Sequence, residues 1–188
     1  MSNGSDPLAK RPARSAAGPP KPVVPRVSAA SMYRLHHLLE PNRGYRRLAA
    51  FLEARPRLSR LFTAAESTVK EELFGCRMCG QCALPVTGYA CPMTCPKQLR
   101  NGPCGGVGAD GSCEVYPGSR CVWLQAYERA DSAGHADDLT RLQRPIDQRR
   151  WDSSSWVSYW QGHDDDLSTC DNGLSAPAPI NPASVADK

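Results

Sequence analysis

The sequence predicts a small, mainly α-helical protein with an irregular, cysteine-rich metal-cluster core and disordered N- and C-terminal tails. Three observations support this fold class. Eight of the nine cysteines lie within residues 76–121. That stretch is also rich in glycine and proline, which disfavour long helices and central strands. The segment before it, residues 31–75, carries apolar residues at the spacing of amphipathic helices.

The cysteine stretch has the number of ligands that two four-iron clusters need. Its members are Cys76, Cys79, Cys82, Cys91, Cys95, Cys104, Cys113 and Cys121. Soft metal centres prefer thiolate sulfur, and a 4Fe–4S cluster takes four cysteines. The first three have the C-x2-C-x2-C spacing of cluster-binding ferredoxin segments. We expect these three to share one cluster, and the spacing leaves the fourth ligand open.

Zinc ions and disulfides are the alternatives for eight cysteines. Two all-cysteine zinc sites need the same number of ligands, although zinc sites more often use separated cysteine pairs. Four disulfides would require an oxidising compartment. The basic N-terminus lacks the apolar segment of a secretory signal, so we expect a cytoplasmic setting. The C-x3-C-x2-C motif of radical-SAM enzymes is not present, because Cys91 and Cys95 have the first spacing but Gln98 occupies the position of the third cysteine.

Composition divides the chain into five segments. Residues 1–30 form a basic, Pro/Ala-rich tail that we expect to be disordered. The others are a helical segment at 31–75, a cysteine-rich metal-cluster module at 76–125, a connector with a Trp-rich C-terminal arm at 126–165, and a disordered tail at 166–188. Cys170 lies alone in this last tail and is predicted to be a free thiol.

Local signals place three helices before the cysteine stretch. Ser31 is predicted to cap the first helix, which runs through Glu40, and Asn42 to cap the second. Pro56 suits the first position of the third helix. Gly75 suits the position after its last turn, and the helix would then deliver the first cysteine.

The third helix is predicted to face the core with an apolar stripe. Glu66 and Lys70 have the i, i+4 spacing and order of a stabilising ion pair. The expected core-facing residues are Leu58, Leu61, Phe62, Ala65, Val69 and Leu73.

Shorter helices are expected after the cysteine stretch. One helix, packed on the metal core, is indicated by Val122, Trp123, Leu124, Ala126 and Tyr127. Another is predicted around 137–142. Ser155 is predicted to cap a helical turn that presents Trp156, Tyr159 and Trp160. Such aromatic residues either complete a small core or bind a partner, and the sequence leaves both open.

Charge is unevenly distributed along the chain. Residues 1–60 hold 12 Lys and Arg against 3 Asp and Glu, whereas the whole chain has a net charge of +4. A basic segment suits nucleic acid or an acidic partner. No nucleic-acid-binding motif accompanies it, so nucleic acid is not the expected partner. No apolar run is long enough for a membrane span, and none is expected.

Three segments of the sequence resemble a known family. They read LFGCRMCGQCALPVTGYACPMTCPKQLRNGPCGG, GSCEVYPGSRCVWLQAYER and SSWVSYWQGHD, and Glu66 and Lys70 belong to the same pattern. They are similar to the small, cysteine-rich methylenetetrahydrofolate reductase C-terminal family, which includes the MetV subunits of bacterial reductases. The resemblance covers about residues 31–165. The two tails depart from the shared pattern.

The resemblance implies an accessory iron–sulfur subunit. The eight cysteines would bind two 4Fe–4S clusters, with two zinc ions as the alternative. The implied partner is a separate TIM-barrel subunit that carries FAD and reduces 5,10-methylenetetrahydrofolate in one-carbon folate metabolism. This chain would pass electrons to that flavin from a donor that is not identified, or would scaffold the barrel.

Catalysis by the chain alone is not expected. A TIM barrel needs about 250 residues, which this chain of 188 does not have. The glycines of GPCGGVGADG do not follow a strand or open a helix, so they are not a dinucleotide-binding fingerprint. No catalytic residue is therefore assigned. The alternative function is a zinc-stabilised structural or interaction module without a redox role.

Overall fold

The computed structural model describes residues 20–165 and residue 167. In this part of the chain the α-helices are α1 Ala29–Leu38, α2 Arg43–Glu53, α3 Pro56–Phe74, α4 Val122–Ser132 and α5 Ser155–Gln161. Single 3-10 turns lie at Leu84–Val86, Pro92–Thr94, Ala136–Thr140 and Gln148–Arg150. The prediction of a mainly helical protein is confirmed.

Regular β structure within residues 20–165 is limited to isolated bridges. Val107 pairs with Cys113, and Ser112 pairs with Arg120, both in antiparallel fashion. The glycine- and proline-rich cysteine stretch is therefore irregular, as expected. Among the helices of the described residues, none combines the length and the apolarity needed to cross a membrane.

Side-chain caps set the first helix boundaries. Ser28, and not Ser31, caps α1, because its Oγ accepts the N–H of Ser31 at 3.2 Å. The prediction of Ser31 was wrong because both serines precede an apolar run and only packing selects between them. Asn42 caps α2 as predicted, accepting the Tyr45 N–H at 2.9 Å. Pro56 begins α3, also as predicted.

The segment that precedes α1 packs on the rest of the fold. Arg26 donates its backbone N–H to the Leu73 carbonyl at 3.0 Å, and Arg129 Nη2 donates to the Val27 carbonyl at 2.6 Å. Structured chain therefore begins before the boundary predicted at residue 30. Residues 1–19, 166 and 168–188, with Cys170 among them, lie outside the described residues.

The buried stripe of α3 is largely polar, which corrects the prediction. Its buried residues are Glu66, Lys70 and Phe74. Four residues of the predicted apolar face are instead exposed: Ala65, Leu58 at 41%, Leu61 at 68% and Val69 at 51%. The reason is that α3 presents its i, i+4 row of polar residues to the start of α5, where backbone and hydroxyl groups need hydrogen-bond partners.

Helix α5 completes a core with α2 and α3. Ser154 caps it by accepting the Val157 N–H at 3.1 Å, so the predicted cap at Ser155 is displaced by one residue. The Trp160 ring stacks on Tyr45 with centroids 4.8 Å apart. Its Nε1 donates to the Leu39 carbonyl at 3.1 Å. Trp160 therefore belongs to the core, which settles its role in favour of packing.

Helix α4 packs on the cysteine stretch, as predicted. Val122, Trp123 and Ala126 are buried, whereas Tyr127 is exposed. Trp123 Nε1 donates to the Leu99 carbonyl at 3.2 Å, which ties the helix to the end of the cysteine loops. The helix expected around 137–142 is the 3-10 turn Ala136–Thr140.

Candidate metal centre

Four of the predicted ligands line one small cavity. They are Cys76, Cys79, Cys82 and Cys91. Cys79 and Cys91 are buried, and Cys76 and Cys82 are half-buried. The spacing of the first three predicted that they share a site, and the structure brings them together. Cys91 is the fourth member, which the spacing did not select.

Left-handed backbone positions shape the loop that carries the first three cysteines. Gly75 ends α3 with φ of 64°, and Met78 and Gly80 have φ of 48° and 72°. Cys76 Sγ accepts the Met78 N–H at 3.4 Å. A Cβ on Gly80 would lie 2.2 Å from the Arg150 carbonyl oxygen, so glycine is required for this close approach.

The connector after α4 fastens this loop from outside. Asp152 donates its N–H to the Met78 carbonyl at 2.8 Å. The Gln81 side chain bonds both backbone groups of Asp147, donating to its oxygen and accepting from its nitrogen at 3.0 Å each. The connector thus holds the backbone on both sides of Cys79 in place.

A tight turn returns the chain to the cavity at Cys91. Thr87 is fully buried, and its Oγ1 lies 3.0 Å from the Ala83 carbonyl and 2.8 Å from the Ala90 carbonyl. The hydroxyl has one proton and donates it to one of these two carbonyls at a time, so both ends of the turn are held close to Thr87. Thr94 Oγ1 then donates to the Cys91 carbonyl at 2.8 Å. These contacts position Cys91 opposite the three-cysteine loop.

Two cationic side chains lie beside the four thiols. Arg100 Nη1 lies 3.9 Å from Cys79 Sγ, and its Nη2 donates to the Gln81 carbonyl at 3.2 Å. Lys70 Nζ donates to Glu66 Oε1 at 2.7 Å and to Ser155 Oγ at 2.5 Å. Positive charge at this position stabilises thiolates. No sequence pattern marks Arg100, and only the ion-pair spacing marks Lys70.

The thiols differ in their tendency to ionise. A hydrogen bond from Cys91 lowers the pKa of Cys76 to about 7, and the same bond together with burial raises the pKa of Cys91. Burial raises the pKa of Cys82 to about 11, although the charge of Lys70 opposes the rise. Binding of a metal centre by all four would release protons, and the affinity would rise with pH.

The remaining four cysteines lie in neighbouring turns. Cys95 and Cys121 are buried, whereas Cys104 and Cys113 are half-buried. Glu114 forms an ion pair with Lys97, and its Oε1 lies 3.7 Å from Cys104 Sγ. The segments around Cys95, Cys104 and Cys113 are therefore in contact. Their assignment to a second cluster stays a prediction.

The donor set of the cavity suits a soft metal centre. Four thiol sulfurs are the ligands that a 4Fe–4S cluster takes. No group of three or more His, Cys, Asp or Glu side chains within residues 20–165 is arranged around a single metal-ion position. His36 Nε2 contacts the Tyr159 hydroxyl at 3.2 Å, and His37 Nδ1 contacts Glu40 at 2.8 Å. Both histidines thus have side-chain partners of their own.

Comparison with known proteins places the chain in a family. A family model described as methylene-tetrahydrofolate reductase C terminal matches residues 55–149, just over half of the 188-residue chain. The match spans α3, all eight cysteines of the stretch, and α4. No curated protein and no solved structure matches the chain. The chain belongs to the methylene-tetrahydrofolate reductase C-terminal family.

Proposed function

We propose that this chain is the accessory iron–sulfur subunit of a methylenetetrahydrofolate reductase. Family membership links it to that oxidoreductase. The observation that carries the proposal is the cavity lined by four cysteines: Cys76, Cys79, Cys82 and Cys91. These would hold one 4Fe–4S cluster, and the other four cysteines of the stretch would hold the second.

The protein groups around the cavity favour such a centre. A 4Fe–4S cluster bound there would supply one-electron transfer. Lys70 and Arg100 offset the negative charge that four thiolates bring into the interior. The Met78 N–H already points at a cysteine sulfur, and hydrogen bonds of this kind tune a cluster's potential.

We further propose that the flavin and the reduction of the folate lie in a separate catalytic subunit. The described residues form helices and isolated β-bridges, and a TIM barrel requires eight parallel strands. The chain would then pass electrons to the partner's FAD, or hold the partner in its working geometry, in the cytoplasm.

The deciding test is a metal and sulfide analysis of the full chain purified without oxygen. We expect about eight irons and eight acid-labile sulfides per chain, the content of two 4Fe–4S clusters. About four of each would restrict the proposal to the cavity of Cys76, Cys79, Cys82 and Cys91. About two zinc ions without sulfide would overturn it in favour of a zinc-stabilised structural module.

The partner is tested with the purified flavin-carrying subunit. Co-elution with the iron-loaded chain, and faster reduction of the bound flavin by a low-potential donor when the chain is present, would support electron transfer. Co-elution without an effect on flavin reduction would assign a scaffolding role. The absence of co-elution would contradict the subunit assignment.

A further inference from the structure

Helix α3 leaves an apolar stripe exposed to solvent. Leu58, Leu61, Ala65 and Val69 follow one another at steps of three or four residues, so they lie on one face of the helix. All four are exposed, and Leu61 is the most open at 68%. From Leu58 to Val69 the stripe runs about 16 Å along the helix axis. An apolar face of this length that the rest of the described chain leaves uncovered indicates an interaction surface.

An aromatic ring is exposed at the corner between α2 and α3. Phe51, in the last turn of α2, is 47% exposed. The guanidinium carbon of Arg55 lies 3.7 Å from the centroid of the Phe51 ring. This contact holds an aromatic ring and a guanidinium together at the surface. Both kinds of side chain are enriched in protein–protein interfaces.

Arginines surround these apolar residues along the chain. Residues 43–65 carry six arginines and a single acidic residue, Glu53. All six arginines are exposed, and none has an ion-pair partner among the residues that the structure describes. Glu53 is itself engaged, since its Oε2 accepts a hydrogen bond from Gln161 Nε2 at 3.0 Å. The six are Arg43, Arg46, Arg47, Arg55, Arg57 and Arg60.

We propose that the α3 stripe, together with the arginines of α2 and of the start of α3, is the surface on which the flavin-carrying catalytic subunit docks. An apolar centre with charged residues around it is the usual anatomy of a stable protein interface. Charge complementarity then requires a docking face on the partner that is apolar at its centre and acidic around it. The inference rests on the proposed function, because that function names the partner.

Two other occupants suit this surface less well. A second copy of the chain would have to supply acidic groups, but the acids in the last turn of α3 are already engaged. Glu72 pairs with Arg26 at 2.7 Å, and Glu71 has an interaction of its own. A single-stranded nucleic acid would need flat rings for stacking, and Phe51 is the only aromatic residue among the exposed large apolar residues of α2 and α3.

Calorimetric titration of the full chain with the purified catalytic subunit tests the apolar centre. The chain is purified without oxygen, and its metal content is recorded. Leu61→Ser should weaken binding at least about tenfold, because it removes an apolar side chain from the middle of the stripe. Tyr127 is comparably exposed, at 54%, but lies on α4, so Tyr127→Ser is the matched control and should bind like the wild type.

A charge reversal tests the arginines. Arg57→Glu should weaken binding at least about tenfold, mainly through slower association, and the difference from the wild type should shrink as the salt concentration rises. Lys21 lies 5.8 Å from the ring of Tyr116 in the cysteine stretch. Lys21→Glu makes the same change of charge there and should bind like the wild type.

The outcomes separate this surface from the subunit assignment. Leu61 and Arg57 are exposed, so the circular dichroism spectrum and the metal content of both variants should stay unchanged. Wild-type binding strength in either variant would overturn the surface and leave the subunit assignment standing. No binding by the wild-type chain would overturn both. A dimer of the chain that Leu61→Ser dissociates, or tighter binding of polyuridylic acid than of the catalytic subunit, would also overturn the surface.

Discussion

Lys70 Nζ lies 2.7 Å from Glu66 Oε1, one turn along α3, and the two side chains retain only 5% and 1% of their exposure. The same carboxylate accepts hydrogen bonds from Ser155 Oγ at 2.8 Å and from the Trp156 N–H at 3.3 Å. This buried ion pair therefore joins α5 to α3. It also places a cation beside the cysteine cavity.

Removing one partner of this pair should be costly. Lys70→Met leaves the Glu66 carboxylate buried without its counter-charge, and we expect a loss of about 3–5 kcal/mol in the free energy of unfolding. Replacing both residues, Glu66→Leu with Lys70→Met, should recover part of the loss because no unpaired charge remains. Urea titration of the metal-loaded chain measures both changes.

An exposed ion pair between α3 and the segment that precedes α1 provides the control. Arg26 and Glu72 are 2.7 Å apart, but their side chains are 69% and 64% exposed. Arg26→Met should therefore cost less than about 1 kcal/mol. If Arg26→Met and Lys70→Met were equally destabilising, the buried pair would have no special role.

Cysteines that share a cavity should lose metal together. We expect Cys79→Ser and Cys91→Ser each to remove the same half of the iron and to weaken binding of the catalytic partner. The double variant should lose no more iron than either single variant, because both ligands serve one cluster. Iron and sulfide analysis after anaerobic purification measures the effect.

Two further cysteine variants complete this test. Cys104→Ser should remove the other half of the iron, so that combining it with Cys79→Ser removes all of it. Cys170→Ser should keep the full content, since this cysteine is predicted to be a free thiol. Complete loss of iron in the double variant of Cys79 and Cys91 would show that they belong to different centres.

Asp164 should make stability depend on pH. Burial raises its pKa from 3.8 to about 7. Between about pH 4 and pH 7 the folded chain therefore holds a proton that the unfolded chain has already released. The stability contribution of this group therefore falls as pH rises through that window, and the penalty is complete above pH 7. Asp164→Asn avoids the penalty. The free energy of unfolding of Asp164→Asn should exceed that of the wild type by an amount that grows between pH 5 and 7 and levels off at about 1–2 kcal/mol.

The exposed neighbour Asp165 serves as the control for charge removal in the same turn. Thermal melts of Asp164→Asn, Asp165→Asn and the wild type across this pH range give the comparison. A difference between Asp164→Asn and the wild type that does not change with pH would rule out a raised pKa for Asp164.

Alanine substitutions at Gly80 and Gly134 distinguish the cost of a positive φ angle from the cost of a steric collision. Both have positive φ, 72° and 76°, but a Cβ on Gly134 would meet no atom within 4 Å. Gly134→Ala should cost about 1–2 kcal/mol from the backbone conformation alone. Gly80→Ala should cost about 1–3 kcal/mol more, because its Cβ would collide with the Arg150 carbonyl, and it should lower the metal content. Equal costs in urea titrations would mean that the connector moves freely away from the loop.

The features that sequence predicted well are those fixed within a few residues. The cap at Asn42, the start at Pro56 and the end at Gly75 each depend on one side chain and its local backbone. The cysteine triplet likewise meets at one cavity because its members are close in the chain. The start of α5 lies within one residue of its predicted cap for the same reason.

The features that sequence missed depend on distant partners. The burial of Glu66 is explained by Ser155, which lies 89 positions along the chain. Cys91 joins the cavity only because of the turn built around Thr87, and Arg100 reaches Cys79 across a gap of 21 positions. No periodicity or spacing rule carries information about these approaches.

The connector that fastens the cysteine loop has a consequence for the order of events during synthesis. Cys76, Cys79 and Cys82 leave the ribosome long before Asp147, which anchors Gln81 from 66 positions further on. Until that segment and Asp152 have emerged, the loop lacks its outer contacts and the thiols face solvent. Delivery of the metal centre is therefore expected to follow the emergence of this connector, and nascent chains would depend on a reducing environment to keep these cysteines available.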